Sequence, residues 1–313
     1  MKTDRLVIGS RASPLAMVQA VYVQDALMRS NPGLDVEIKK IKTSGDKILD
    51  VPLSRIGGKG LFTKEIEEAL LGGRIDLAVH SMKDLPTELP KGLTIGAVTK
   101  REDPRDVLVS DRAHTLRSLP RGSRVGTSSL RRRSQLLRVR KDLEIVDLRG
   151  NLDTRVLKLR RGSYDAIVLA YAGIKRLGLD LNLSVMSVDD ILPQAGQGAL
   201  GIEVREDGDD AGGFVSALDD ADSRVSIEAE RTVLAALEGG CQVPIGIYAE
   251  ITKDDILIKA GVFSLDGRHA VKAETAGKKE DAKRLAQALA ESLLKKKAVC
   301  RILDEVNKLR RDI

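Results

Sequence analysis

The chain has 313 residues, 42% of them hydrophobic and 31% charged, with a formal net charge of +6; this describes a soluble globular protein long enough for two or three domains with their own cores. No apolar run approaches the ~20 residues a membrane span needs, and Met-Lys-Thr-Asp-Arg precedes only the short apolar run Leu6–Ile8, so neither a membrane segment nor a signal peptide is expected. The two cysteines then point to a reducing cytoplasm without structural disulfides.

Arg5–Ile8 predicts a strand that turns at Gly9-Ser10-Arg11-Ala12-Ser13-Pro14, with Ser13 as N-cap and Pro14 as the first helical residue. Leu15, Val18, Tyr22 and Ala26 mark the apolar face of that helix, which stops at Asn31-Pro32-Gly33. Leu34–Ile41 alternates as a strand. Gly57-Gly58-Lys59-Gly60 lacks the spacing of a Walker motif and suits a flexible lid carrying Lys59. Phe62, Ile66, Ala69 and Leu70 predict a second helix, closed by Gly72-Gly73. The strand Ile75–Val79 leads into His80-Ser81-Met82-Lys83-Asp84-Leu85-Pro86, which puts Lys83 and Asp84 at a turn beyond a strand end.

The same grammar restarts after Arg101-Glu102-Asp103-Pro104-Arg105. Strands are expected at Arg124–Thr127, Leu143–Leu148 and Tyr164–Ala170, with helices at Leu130–Val139 and Leu152–Arg161. Ser184–Leu192 and Pro193–Gly198 form a second crossing before the strand Ala199–Val204. Such alternation implies parallel or mixed sheets with helices on both faces. The fold class is therefore α/β, two lobes with a cleft between them, followed by a smaller C-terminal α+β domain. Lobe 1 comprises residues 1–99 plus 195–220, lobe 2 residues 100–194, and the last domain residues 221–313. In that domain a helix over Ser226–Leu237 precedes a meander of Ile245–Ile251, Ile256–Phe263 and Ala270–Glu274, turning at Asp266-Gly267. Helices Asp281–Leu294 and Arg301–Leu309 close the chain.

The charge is local. Arg131–Arg161 holds eleven Lys and Arg against four acidic residues, an excess larger than that of the whole chain. Such a field suits an anionic partner. With no Trp, three Phe and four Tyr, the chain has few platforms on which to stack single-stranded bases, and it shows no duplex-docking motif. A small polycarboxylate or phosphate fits better than nucleic acid.

Both lobes place donors at strand-to-helix turns, where free backbone N–H groups favour anions. Arg11 and Ser13 do so in the first. In the second, Thr127, Ser128 and Ser129 open a helix whose first turn holds Arg131 and Arg132, while Arg133 is expected in solvent. Arg149-Gly150-Asn151 and Arg155 supply further candidates. Asp84 would be ionised among such cations, unless it merely forms a turn beside Pro86. Cys241 lies in Leu237-Glu-Gly-Gly-Cys-Gln-Val-Pro-Ile-Gly246, a loop freed by Gly239 and Gly240 and bounded by Pro244. It suits a nucleophile or attachment point, or a buried thiol in a tight turn. No second Cys or His stands near it at metal-ligand spacing, so no metal is expected. Cys300 is expected to be a small core residue.

GSRASPLA, GGKGLFTKEIE, AVHSMKDLPT, REDPRD, GTSSLRRR, LRGNLDTR, AGQGA and EGGCQVPIG, in register from Leu6 to about Ile251, together resemble the porphobilinogen deaminase (hydroxymethylbilane synthase) family. The resemblance implies two lobes like those of periplasmic binding proteins and a third domain bearing the cysteine loop. It implies an enzyme, a transferase of porphyrin and heme biosynthesis, that joins four porphobilinogen units head to tail with loss of ammonia. Coupling starts on a covalently bound dipyrromethane, and hydrolysis releases the linear hydroxymethylbilane. By the same resemblance the dipyrromethane is a thioether of Cys241, a linkage that resists hydrolysis. Asp84 is the catalytic carboxylate, which hydrogen-bonds pyrrole N–H groups and stabilises the positively charged azafulvene.

The resemblance further assigns the dipyrromethane to Lys83, Thr127, Ser128, Ser129, Arg131, Arg132, Gly150 and Arg155. It assigns substrate carboxylates to Arg11, Ser13, Gln19, Arg149, Arg155 and Arg176, and the lid to Lys59. The partners implied are porphobilinogen and the growing polypyrrole, with no nucleic acid and no membrane, and the protein is expected to be a cytoplasmic monomer. Two other readings compete. A non-catalytic anion binder of the same architecture would need neither Asp84 nor Cys241, and a nucleic-acid binder would use the basic stretch from Arg131 to Arg161.

Overall fold

The structure is a computed structural model that describes residues 5–47, 60–206, 210–237 and 243–311. The chain divides into two compact units, one of Met1–Asp50, Gly58–Glu102 and Gly198–Arg224, the other of Val51–Gly57, Asp103–Gln197 and Val225–Ile313. The first unit begins with β1 (Arg5–Arg11), α1 (Pro14–Ser30), β2 (Asp35–Ile41), α2 (Ser44–Lys47), α3 (Lys64–Leu71), β3 (Leu77–Ser81) and β4 (Leu93–Val98). The second continues with β5 (Asp106–Val109), β6 (Arg124–Gly126), α4 (Leu130–Val139), β7 (Glu144–Val146), α5 (Leu152–Arg160), β8 (Ala166–Ala170), α6 (Tyr171–Leu177) and β9 (Leu183–Val185). β10 (Leu200–Arg205) and α7 (Asp210–Ser216) belong again to the first unit. α8 (Ala221–Ala236) leads to β11 (Ile245–Thr252), β12 (Asp255–Phe263), β13 (Ala270–Lys278), α9 (Ala282–Leu294) and α10 (Lys297–Arg311).

The two large sheets share one plan. Their strand orders are β2-β1-β3-β10-β4 and β7-β6-β8-β5-β9. In each, the first three strands run parallel and the fourth, β10 or β5, is antiparallel to both neighbours. Each antiparallel strand is the first one formed after the chain crosses into its unit. Each is a mixed sheet whose strands alternate with helices along the chain, so the α/β reading holds.

Helices cover both faces of these sheets. In the first unit Ala20, Val23 and Leu27 of α1 pack on Leu6, Ile8, Leu77 and Val79, while Ile66, Ala69 and Leu70 of α3 pack with Ala78 and Leu93. In the second, Leu136 of α4 packs on Val125 and Val168, and Val156 and Leu159 of α5 pack with Ile167 and Leu169. The antiparallel meander β11-β12-β13 is a third, separate sheet, whose Ile247, Ile258 and Ala260 bury against Ala286, Leu289 and Leu293 of α9.

Two expectations are corrected. The buried face of α1 is Gln19, Ala20, Val23 and Leu27, whereas Val18 and Tyr22 are 37% and 49% exposed. The helix is apolar around most of its girth, so spacing alone does not choose the side that meets the sheet. Cys300 is exposed, its Sγ 3.3 Å from the Leu294 carbonyl oxygen, because Val299, Ile302 and Val306 take the inward positions of α10.

Candidate active site

Within the first unit, the carboxyl ends of the parallel strands β1 and β3 meet the start of α1. Ser13 caps α1 by accepting from the Ala16 backbone N–H, and Pro14 occupies the first turn, where a missing N–H costs nothing. From the buried side of α1, Gln19 Nε2 donates to Ser81 Oγ at 3.0 Å, tying the helix to the last residue of β3. A single 3₁₀ turn, Met82–Asp84, follows. Its flanks are anchored, since Met82 is 1% and Leu85 3% exposed, while Asp84 itself faces solvent. Gly201 allows that anchoring, because a Cβ there would lie 2.3 Å from Met82 Sδ.

Arg11, Ser13, Gln19, His80, Ser81 and Asp84 thus line one concavity. Arg11 is paired with Asp46 and lies 4.2 Å from the centre of the Phe62 ring. Burial pushes the Asp46 carboxyl up, but hydrogen bonds from Arg11 and Thr43 outweigh it and hold the group below its ordinary value. His80 Nε2 lies 3.1 Å from Glu203 Oε2, diagonally across the β3–β10 ladder and out of solvent. Neither this pair nor the Phe62 contact was evident as site structure from the sequence.

The predicted cofactor residues belong to the second unit, except Lys83, which is half-buried in the 3₁₀ turn of the first. Ser129 caps α4 by accepting from the Arg132 N–H, and Thr127 Oγ1 accepts from the Ser129 N–H at 3.2 Å. Ser128 Oγ both donates to the Leu148 carbonyl and accepts from its N–H, at 3.0 Å each, so that hydroxyl joins the ends of β6 and β7. These hydroxyls build the turn rather than stand idle in it. Arg133 is exposed, as its place on the helix predicts.

Arg131 and Arg132 are 3% and 7% exposed. Arg131 Nη1 donates to Asp106 Oδ2 at 2.8 Å and Arg132 Nη2 to Asp106 Oδ1 at 2.7 Å. Asp106 was not singled out from the sequence, although it is the last residue of the REDPRD run. Burial raises its carboxyl, and the two guanidiniums overcome that and hold it far below the carboxylate range.

Gly150 adopts φ +106°, open to glycine, and a Cβ there would meet Thr154 Cγ2 at 2.7 Å. Arg155 Nε donates to the Gly150 carbonyl at 2.8 Å, which holds the turn before α5. Arg149 is half-buried, and burial lowers its guanidinium's pKa despite the neighbouring Asp147 charge. Arg176 lies half-buried in the last turn of α6. Cys241 and Lys59 lie outside the described residues.

The donor set fits a polycarboxylate. The Nε atoms of Arg131, Arg132 and Arg149 are buried without a hydrogen-bond partner among the described residues, and Arg131 and Arg132 share the single carboxylate of Asp106. No group of His, Cys, Asp and Glu among the described residues is arranged to hold a metal, and no helix among them is long and apolar enough to cross a membrane.

Residues 6–212 match the family model described as porphobilinogen deaminase, dipyromethane cofactor binding domain, and residues 225–295 match the porphobilinogen deaminase C-terminal domain. The porphobilinogen deaminase of Syntrophobacter fumaroxidans is 49% identical over 97% of this chain and 99% of its own length. Those of a Roseiflexus species and Geobacter sulfurreducens are 52% and 50% identical, over 92% and 94% of this chain and 95% and 92% of their own. With relatives this similar along nearly its whole length, and a dipyrromethane-binding match that spans every candidate site residue except Cys241, the chain belongs to the porphobilinogen deaminase family.

Proposed function

We propose that this chain carries out its family's head-to-tail condensation of four porphobilinogens with Asp84 as the catalytic carboxylate and Cys241 as the point of dipyrromethane attachment. The observation that carries the reading is the concavity at the ends of β1 and β3. It gathers Arg11, Ser13, Gln19 and Asp84 from separate parts of the chain. Arg11 and Ser13 bind the acetate or propionate of an incoming porphobilinogen, and Gln19 orients it through its link to Ser81.

Asp84 stands on a turn whose flanking residues Met82 and Leu85 are buried, which favours a carboxylate positioned before the substrate arrives. As ammonia leaves porphobilinogen, positive charge spreads over the pyrrole ring. The Asp84 carboxylate stabilises that charge by accepting from the ring N–H. It then accepts the proton lost from the α-carbon when aromaticity returns. Dipyrromethane, when bound, supplies the free α-carbon that serves as nucleophile. Arg131, Arg132, Arg149 and Arg155 hold its carboxylates, with the turn of Thr127, Ser128, Ser129 and Gly150 fixing their backbone. Lys83 and Arg176 add cationic contacts, and Lys59 serves the lid.

The three separate sheets support the division into lobes of residues 1–99 with 195–220 and 100–194, and a C-terminal domain of 221–313. The reading extends to a cytoplasmic monomer, which sedimentation of the holoenzyme tests. Asp84→Asn tests the central assignment. The variant keeps its dipyrromethane mass and melting temperature but loses turnover by at least about a thousandfold, in line with loss of a charge-stabilising group. Near-normal turnover would remove Asp84 from this role.

A further inference from the structure

Arg131 and Arg132 form a buried cluster in which two guanidiniums share one carboxylate. Asp106 is 0% exposed and accepts from Arg131 at 2.8 Å, Arg132 at 2.7 Å and Gln197 Nε2 at 2.9 Å. The same donors also reach backbone carbonyls. Arg131 Nη1 donates to Leu192 at 2.7 Å, Arg132 Nη1 to Val168 at 3.1 Å and Gln197 Nε2 to Pro104 at 2.7 Å. Gln135 closes the frame by exchanging hydrogen bonds with Leu192. One carboxylate therefore ties β5, the first turn of α4 and the segment 192–197 of the second unit into one piece.

Charge counting gives this arrangement a direction. Among the described residues Asp106 is the one carboxylate hydrogen-bonded to either guanidinium, so the pair keeps an excess of one positive charge. A buried excess charge persists only where a compensating anion arrives or where the gain lies elsewhere. A long arginine side chain is also useful for recognition only if its geometry is set beforehand.

The geometry points to Asp106 as the positioning residue of the dipyrromethane site: it holds Arg131 and Arg132 in one orientation and cancels one of their two charges, leaving one to meet a ligand carboxylate. This rests on the function proposed above. It predicts that removing the Asp106 charge disturbs loading of dipyrromethane beyond what lost stability explains.

Asp106→Asn keeps the shape and removes the charge. The apo-protein is incubated with hydroxymethylbilane, and the fraction whose mass rises by that of the linear tetrapyrrole less one water is followed over time, well below the melting temperature. Wild type is expected to load fully, D106N at least about tenfold more slowly, and D106E at an intermediate rate because its carboxylate is displaced by one methylene. Leu108→Ala, in the same strand and wholly buried, is the stability control. It is expected to load at the wild-type rate even where it melts as low as D106N. Loading of D106N at the wild-type rate, or equal slowing in L108A, would overturn the positioning role. Should D106N not fold, D106E decides: a folded D106E loading at the wild-type rate overturns the role as well. A wild-type protein that never gains the mass would instead overturn the function on which the inference rests.

Discussion

On the proposed function, Asp84 and Arg149 bring opposite charges to the same chemistry, and their variants separate its two halves. Loss of Asp84 is expected to act on turnover. Arg149→Leu acts on binding, because its half-buried guanidinium leaves a buried Nε without a partner among the described residues. Losing one charge-assisted contact costs about 1.5–3 kcal/mol, so R149L is expected to slow dipyrromethane assembly or early elongation about tenfold to a hundredfold. Single-turnover assays with porphobilinogen read this, and an unaffected variant would mean that Arg149 contacts no carboxylate.

Charges at this scale also set the pH response. Asp106 has a lowered pKa, so its stabilising contribution is complete above the unfolded carboxylate value of about 4. That contribution is lost only as pH falls through the much lower folded value. Glu67 has the opposite sign. Burial raises its pKa, with the nearby Glu203 charge adding to the shift. The stability that Glu67 contributes is present below the unfolded value and lost as pH rises through the folded one. Glu67→Gln is therefore expected to gain on wild type in denaturant midpoint as pH rises from about 4 to 7, whereas a constant difference would contradict the shift.

At the scale of elements, the helix starts near the site were legible. α4 runs over Leu130–Val139, as its spacing and Ser129 cap predict, and α1 begins at Pro14 behind Ser13. Such signals are local chemistry, a hydroxyl three residues from the N–H it accepts. Ser13→Ala is accordingly expected to cost about 1 kcal/mol and to lower the melting temperature without abolishing the fold; no change would mean the cap is replaced by solvent.

Other elements were not legible, and for stated reasons. β5 is four residues long and begins with Asp106, a charge that does not announce a buried strand. Its compensation comes from Arg131 and Arg132 on another element. α6 starts at Tyr171 behind Ala170, which offers no side-chain cap, so nothing local marks it. Cys300 was misplaced because a thiol suits a core and a surface equally well, and its three apolar neighbours on α10 decided the matter. The candidate site divides the same way. Arg11, Ser13, Gln19 and Asp84 followed from turns and resemblance, while Asp106 and the His80–Glu203 pair required the fold.

The whole molecule's +6 charge is concentrated in the stretch from Arg131 to Arg161, as any anionic ligand requires, and it is the scarcity of aromatic rings that favours a polycarboxylate over a stacked single strand. Exposed charges are screened over about 8 Å at physiological ionic strength. The KM for porphobilinogen is thus expected to rise several-fold as salt increases, with kcat less affected. A flat KM, together with a steep salt dependence of nucleic-acid binding, would favour the rival reading.

Construction of tetrapyrrole on a dipyrromethane joined to Cys241 is read from the intact mass of the denatured purified protein. The expected result is a mass excess equal to one dipyrromethane, mapped to the peptide containing Cys241 and absent from Cys241→Ser. The bare polypeptide mass, unchanged after incubation with porphobilinogen, would contradict it.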